Sequence, residues 1–170
     1  MLMKSEMDKT QRLVMTALMM TLVLLGTAIF RIPVPMTQGY VHLGDAMVFI
    51  GVMMLGRKNG TVAAGLGSAM ADILGGFAVW APWTLFIKAA MAFTAGSFIE
   101  RSYSGHRHAA GFITGMTLGG MLMCAGYYIA EGVMYGNWAA AALGIPWNIG
   151  QFIIGMMIAM MFRGAVSSLR

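Results

Sequence analysis

The sequence has little charge and almost no cysteine. Only 10% of its 170 residues are charged, whereas a soluble domain of this length carries about a quarter. The single cysteine, Cys124, cannot form an internal disulfide, which excludes a disulfide scaffold. What remains is 59% hydrophobic, with 23 glycines and 20 methionines. This composition excludes a disordered chain and a nucleic-acid-binding domain, and it indicates a membrane protein.

Charged or turn-forming clusters divide the apolar sequence into six stretches, and their lengths suit helices that cross a bilayer. The second and third stretches are joined by so few residues that they must form an antiparallel hairpin. The fifth break, from Glu131 to Gly144, is the longest. We predict an all-α, polytopic membrane protein with a single membrane domain over residues 1–170 and six transmembrane helices, at about 11–30, 40–56, 59–76, 80–99, 109–130 and 143–163.

The distribution of Lys and Arg predicts the orientation, because cytoplasmic loops carry an excess of basic residues. Arg31 stands alone on one side, and Lys88 lies within a span. The other nine fall on the opposite side: Lys4, Lys9, Arg12, Arg57, Lys58, Arg101, Arg107, Arg163 and Arg170. We therefore expect cytoplasmic N and C termini. This topology accounts for the net charge of +5, which is not a sign of a nucleic-acid partner.

Ionisable residues inside a span are costly unless they are paired or face a wet cavity, so each is a candidate functional group. Nearly all the strongly polar groups of the spans fall in the outer half. Aromatic walls with a few convergent polar groups suit a flat heterocycle. We predict a substrate-binding site that opens to the outside and is formed by His42, Asp45, Asp72, Trp80, Trp83, Lys88, Tyr128, Trp147, Asn148 and Gln151.

Several of these residues have a second interpretation. Each tryptophan could equally anchor the protein at the membrane interface. Asp72 and Lys88 suit a structural ion pair between neighbouring spans as well as direct ligand contact, and the two roles can coexist. His42 and Asp45 are three residues apart and would share a helical face, where the carboxylate can simply hydrogen-bond the imidazole. Glu131 fits a solvated loop residue as well as a ligand contact.

Small residues predict where helices pack closely. Gly111, Gly115 and Gly119 repeat at four-residue spacing on the fifth span, which lets helix backbones approach in lipid. Ala17 and Thr21 form a weaker pair of this kind on the first span. If their face is exposed to lipid, it is a docking surface for another membrane subunit.

The sequence lacks a phosphate-binding loop, a serine-hydrolase elbow and a zinc-binding helix motif, so we expect no ATP hydrolysis by this chain. His106 and His108 lie in a basic loop without further ligands, and we expect no metal and no cofactor. Two alternatives stay open. One is an autonomous small secondary transporter or channel, and the other is an intramembrane aspartyl protease in which Asp45 and Asp72 share a proton.

Three segments carry a resemblance to a known family: residues 39–46 (GYVHLGDA), residues 65–72 (GLGSAMAD), and residues 80–88 (WAPWTLFIK), which lead to Ala95 and Gly96. With them the chain resembles the substrate-binding S components of energy-coupling factor (ECF) vitamin transporters. The resemblance covers almost the whole chain and is strongest to the subgroup for riboflavin-type, hydroxymethylpyrimidine and vitamin B6-related substrates.

The resemblance implies a six-helix S component in the plasma membrane of a prokaryote, with its first and third loops covering the pocket. Such a subunit captures a vitamin or precursor from outside, here most simply a hydroxymethylpyrimidine or pyridoxine type, with riboflavin also compatible. It works with a transmembrane coupling subunit and two cytoplasmic ATPases, and it topples in the membrane to release substrate. In the family a small-residue motif on the first span contacts the coupling subunit, and Ala17 and Thr21 occupy that place here.

Overall fold

The computed structural model describes residues 8–33, 40–103 and 108–168. In chain order its elements are α1 (Lys9–Ile29), β1 (Arg31–Pro33), β2 (Tyr40–His42), α2 (Gly44–Leu74), α3 (Ala81–Tyr103), α4 (His108–Tyr135) and α5 (Trp138–Ser168). Four residues used in the predictions above lie outside the described residues: Lys4, His106, Arg107 and Arg170.

The described part of the chain is mostly helical, as predicted. By length and composition, three helical segments could cross a membrane: Lys9–Ile29, Ala110–Tyr135 and Trp138–Gly164. The count of six crossings and the cytoplasmic placement of both termini stay predictions.

The helix α2 is interrupted at Gly56. This residue has φ 81° and ψ 176°, a backbone conformation that glycine adopts without a steric penalty. The two arms fold back on each other there, because a Cβ atom added to Gly60 would lie 2.7 Å from the Cα of Val52. In a continuous helix, residues eight positions apart are about 12 Å apart. The predicted hairpin is therefore present, as two arms of α2 with Gly56 at the turn.

Glycines set the close contact between α3 and α4. A Cβ at Gly115 would lie 2.8 Å from the carbonyl oxygen of Ala95, and one at Gly119 would lie 2.7 Å from that of Met91. A Cβ at Gly111 would likewise overlap the Ser102 side chain. Missing side chains thus let the two backbones approach, and the predicted packing role of the glycine repeat is confirmed.

The predicted break from Glu131 to Gly144 is wrong. The helix α4 continues to Tyr135, and α5 already begins at Trp138. Gly136 has φ 64° and its amide donates to the carbonyl of Gly132, so it ends α4 as a left-handed cap. Asn137 accepts from the amide of Ala140 at 3.0 Å and thereby caps α5. Gly136 and Asn137 suffice for the turn, and Glu131 lies within α4.

The two short strands pair in antiparallel register, with Arg31 opposite His42. This pairing was not predicted. Arg31 fastens it to the helices, since one guanidinium nitrogen donates to the carbonyl of Ala71 at 2.7 Å and the group lies 4.9 Å from the ring centroid of Tyr40. The strands, the end of α1, both ends of α2 and the start of α3 meet here. We call this region the hairpin end, after the paired strands β1 and β2 and not after the turn at Gly56. The predicted topology places it outside.

Candidate substrate-binding site

A buried charged pair lies among the predicted site residues. Lys88 Nζ on α3 donates to Asp45 Oδ1 in the first turn of α2, and both side chains are fully buried. The first turn of a helix favours a carboxylate, because the free N–H groups there carry partial positive charge. Each charge neutralises the other, which lowers the cost of burying both.

Gln151 connects this pair to α5 and to the strands. Its Nε2 donates to Asp45 Oδ2 at 2.8 Å, and its Oε1 accepts from the backbone amide of His42 at 2.9 Å. Gly155, one turn further along α5, makes this reach possible. A Cβ there would lie 2.9 Å from the Cβ of Asp45, so the absent side chain lets α5 approach the start of α2. Four elements therefore meet around one carboxylate.

Met123 is a contact of the charged pair that sequence reasoning missed. Its sulfur lies 3.0 Å from Lys88 Nζ and 3.7 Å from Gln151 Nε2. On α4 it stands between Gly119 and Gly126, which pack against Met91 and Ile87 of α3. A residue midway between two packing glycines faces the same neighbouring helix, and this spacing was the available signal.

An ion pair between Lys88 and Asp72 was one of two interpretations that the sequence left open, and the structure corrects this one. Lys88 pairs with Asp45, while Asp72 at the end of α2 accepts at Oδ1 from the hydroxyl of Tyr40. Each carboxylate thus has its own partner, and this arrangement does not fit a protease dyad that shares a proton. The local sequence around Tyr40 does not predict the hydrogen bond to Asp72, because the bond joins a strand to a helix end 32 residues away.

His42 and Asp45 do not share a helical face, which corrects a second expectation. His42 belongs to β2, and its Nδ1 accepts from the amide of Gly44 at 3.0 Å. The helix begins only at Gly44, because the extended residues before it pair with β1.

Aromatic rings connect the charged pair to the hairpin end. Trp80 is 8% exposed, and its ring centroid lies 6.1 Å from those of both Tyr127 and Tyr135. Lys88 Nζ lies 5.5 Å from the ring centroid of Tyr127, a second residue that sequence reasoning missed. Tyr127 in turn donates to the hydroxyl of Thr84 at 3.4 Å.

The remaining predicted site residues lie further from the charged pair or closer to the surface. Trp83 is partly buried and packs against the core. Tyr128 packs on Trp138, with 5.5 Å between ring centroids. Asn148 is partly buried, and Trp147 is 43% exposed on α5, a degree of exposure that suits an interface anchor.

Comparison with known proteins decides the family. The model of the ECF-type riboflavin transporter S component family matches residues 7–168. The chain belongs to this family. A solved S component of a bacterial ECF transporter has the same fold, with a TM-score of 0.76 at 18% identity over 96% of this chain and 99% of that one.

Two sequence relatives extend the comparison. This S component is 25% identical over 150 residues to the thiamine precursor transporter HmpT of Lactococcus lactis subsp. cremoris, covering 88% of this chain and 83% of the relative. It is also 36% identical over 116 residues to an uncharacterized protein of Pyrococcus woesei, covering 68% of this chain and 75% of the relative. The family and the fold are those of a transporter component in a membrane, not of an enzyme.

The predicted docking pair of the S component lies on the exposed side of α1. Ala17 and Thr21 are both exposed, and the Thr21 hydroxyl donates to the carbonyl of Ala17 at 3.0 Å. Because that hydrogen is used within the helix, the outer face of Thr21 is largely its methyl group. Leu18 and Leu22 beside them are 55% and 45% exposed, which gives α1 an apolar outer surface.

Proposed function

We propose that this S component captures a small heteroaromatic vitamin or precursor, of the hydroxymethylpyrimidine or pyridoxine type, at its hairpin end. It then delivers the compound inward together with a transmembrane coupling subunit and two cytoplasmic ATPases in a prokaryotic plasma membrane. The observation that carries the proposal is the convergence of buried polar groups and aromatic faces at one end of the bundle. There Lys88 lies against the ring of Tyr127, and Trp80 packs on Tyr127.

Within the predicted site the residues divide into two groups. Asp45, Lys88 and Gln151 are bonded to one another, and with His42 they hold α2, α3, α5 and the strands together beneath the aromatic rings. The side chains for ligand contact are then Asp72, Trp80, Trp83, Tyr128, Trp147 and Asn148. A flat ring fits this set, because aromatic faces supply stacking area and the carboxylate and amide supply orientation.

The relatives support a choice among ligands. HmpT is a thiamine precursor transporter, and the family is named for riboflavin. A hydroxymethylpyrimidine is such a precursor and is small enough for a site in a chain of this size. Riboflavin, which adds a ribityl chain, is the second candidate because the family model carries its name.

The test begins with the purified chain alone in detergent. We expect denaturation to release a bound small molecule that mass spectrometry identifies, and calorimetric titration to show binding of hydroxymethylpyrimidine, pyridoxine or riboflavin. In liposomes that contain this chain alone, we expect no substrate accumulation driven by an ion gradient. Absence of any titratable binding, together with gradient-driven flux through the chain alone, would favour the autonomous transporter instead.

A pair of aromatic variants tests where the ligand binds. Trp80→Phe is expected to weaken binding by about 2- to 10-fold, because it removes the larger stacking face while a ring keeps the packing. Phe86→Leu is the control, since it also removes an aromatic ring from α3, but Phe86 is 72% exposed and is not among the predicted site residues. Equal affinities for wild type and both variants would place the ligand away from Trp80.

A further inference from the structure

The two carboxylates at the hairpin end differ in how fully their oxygens are bonded. In Asp45 each oxygen accepts a hydrogen bond, Oδ1 from Lys88 and Oδ2 from Gln151. Asp72 has its Oδ1 bonded to the Tyr40 hydroxyl, but its Oδ2 is buried and makes no hydrogen bond with any residue that the structure describes. Asp72 is only 3% exposed, so solvent does not readily supply the missing donor.

A buried carboxylate oxygen without a donor is unfavourable, and in folded proteins such groups nearly always have a partner. None of the nearby polar groups that the structure describes donates to Oδ2. Arg31 is held by the carbonyl of Ala71 and lies 5.8 Å from the ring centroid of Phe77. Thr84 stands beside the carboxylate and accepts from Tyr127, but Oδ2 has no partner at hydrogen-bonding distance and angle. Oδ2 is therefore the atom of Asp72 that is open to a donor on a bound molecule.

The surroundings of Asp72 are aromatic. The ring of Tyr40 lies 4.9 Å from that of Phe77, and Tyr127 reaches the same region through Thr84. A flat ring that enters here brings its edge to Asp72 and its faces to these side chains.

We propose that Asp72 is the specificity-determining residue of the site, and that it accepts at Oδ2 a single hydrogen bond from an N–H or O–H donor on the edge of the heteroaromatic substrate. Because Tyr40 occupies Oδ1, the contact is made through one oxygen and not through a two-point amidine-type pairing. Asp45 holds the helices together and does not contact the ligand. This inference rests on the proposed function and assigns the part of the substrate that the site selects.

The experiment is a thermodynamic cycle between Asp72 and the ligand, measured by calorimetry on the purified chain. The probes are three compounds with analogues that each lack one donor. The analogues are hydroxymethylpyrimidine with its amino group replaced by hydrogen or its hydroxymethyl group replaced by methyl, pyridoxine with one hydroxyl removed, and riboflavin methylated at the ring N–H. We expect one analogue to bind wild type about 10- to 100-fold more weakly than its parent, as loss of a hydrogen bond to a charged group implies.

The variant Asp72→Asn keeps the shape of the side chain and removes its charge. This variant is expected to bind the parent compound more weakly by a similar factor, and to bind the parent and that one analogue with equal affinity. Glu100→Gln is the control, because Glu100 lies near the end of α3 beside Arg57 at the turn of α2, and its loss should leave the ratio of parent to analogue unchanged. Tyr40→Phe removes the hydroxyl that donates to Oδ1, and in this variant the analogue should still bind more weakly than the parent compound.

The outcomes separate the two proposals. If wild type binds none of the three parent compounds, the proposed function fails and this inference fails with it. If wild type binds a parent but no analogue loses affinity, or if the loss is the same in Asp72→Asn, the inference alone is overturned. The ligand-side comparison on wild type needs no variant, so it decides even if Asp72→Asn does not fold.

Discussion

Gln151 and Asp45 lie 106 residues apart in the chain and are joined by a hydrogen bond of 2.8 Å. The same amide group of Gln151 also accepts from the backbone of His42, so one side chain bridges α5, α2 and β2. Lys88 completes the connection from α3. The relative positions of these elements at the hairpin end therefore depend on a small bonded group whose members can be changed one at a time.

Removing the negative charge of this group should lower the stability of the protein. Asp45→Asn leaves the fully buried ammonium of Lys88 without a counterion, and we expect the free energy of unfolding to fall by about 3–5 kcal/mol. Unfolding in mixed detergent micelles, followed by tryptophan fluorescence, measures this change. The double variant Asp45→Asn with Lys88→Met removes both charges and should recover more than half of the loss. Equal stability of the single and double variants would contradict the argument.

Loss of the Gln151 amide should expose the His42 amide to exchange. Gln151→Met keeps the length of the side chain but removes a donor and an acceptor, each worth about 1 kcal/mol. We expect faster hydrogen–deuterium exchange at the peptide that contains His42, because its amide loses its partner. Asn148→Ala, which changes a partly buried amide one turn earlier on α5, serves as the control and should leave that exchange unchanged. Unchanged exchange in Gln151→Met would show that the bridge is not formed.

Two glycines on α5 should respond to alanine in opposite directions. A Cβ at Gly155 would lie 2.9 Å from the Cβ of Asp45, whereas one at Gly150 would meet nothing within 4 Å. Gly155→Ala should therefore cost about 1–3 kcal/mol through overpacking and weaken ligand binding, since it pushes Gln151 away from Asp45. Gly150→Ala should be neutral or stabilise the helix by about 0.5–1 kcal/mol. Thermal unfolding and calorimetry on both variants test this, and similar results for the two would be evidence against close packing of α5 on α2.

A bulky residue on the exposed face of α1 should separate binding from transport. Ala17→Leu adds volume to an exposed face of α1, so we expect ligand affinity and thermal stability to stay at wild-type values. Uptake by cells that co-express the coupling subunit and ATPases should fall at least several-fold, because close helix contact depends on small residues. Ala125→Leu, at an exposed alanine of α4, is the matched control and should transport normally. Normal uptake by Ala17→Leu would mean that docking uses another face.

The sequence predicted the helices well where apolar length and turn residues agreed. The hairpin in α2 followed from the glycine-flanked basic turn near Gly56, and the packing of α4 followed from its repeated glycines. The break before α5 was misplaced, because Glu131 and Gly132 resemble a loop in composition although Gly132 instead accommodates the ring of Trp138. Composition does not distinguish a glycine that ends a helix from one that makes room for a neighbour.

Which polar groups would meet was harder to predict. Asp45 and Asp72 both lie at the hairpin end, and the spacing along the chain alone gave no means of choosing between them as the partner of Lys88. The choice depends on how close the helices pack, which Gly155 and Gly126 determine at positions distant in sequence from either carboxylate. Tyr40 and Met123 were missed for the same reason, because their contacts join separate elements.

The buried pair of Lys88 and Asp45 also has an electrical consequence. A single charge that crosses the membrane field performs work of about 2.3 kcal/mol for every 100 mV. The ammonium and the carboxylate are bonded to each other, so they move as a dipole of zero net charge and the two contributions cancel. Any tilting or displacement of the helix bundle relative to the bilayer can therefore carry this pair along almost independently of the membrane potential.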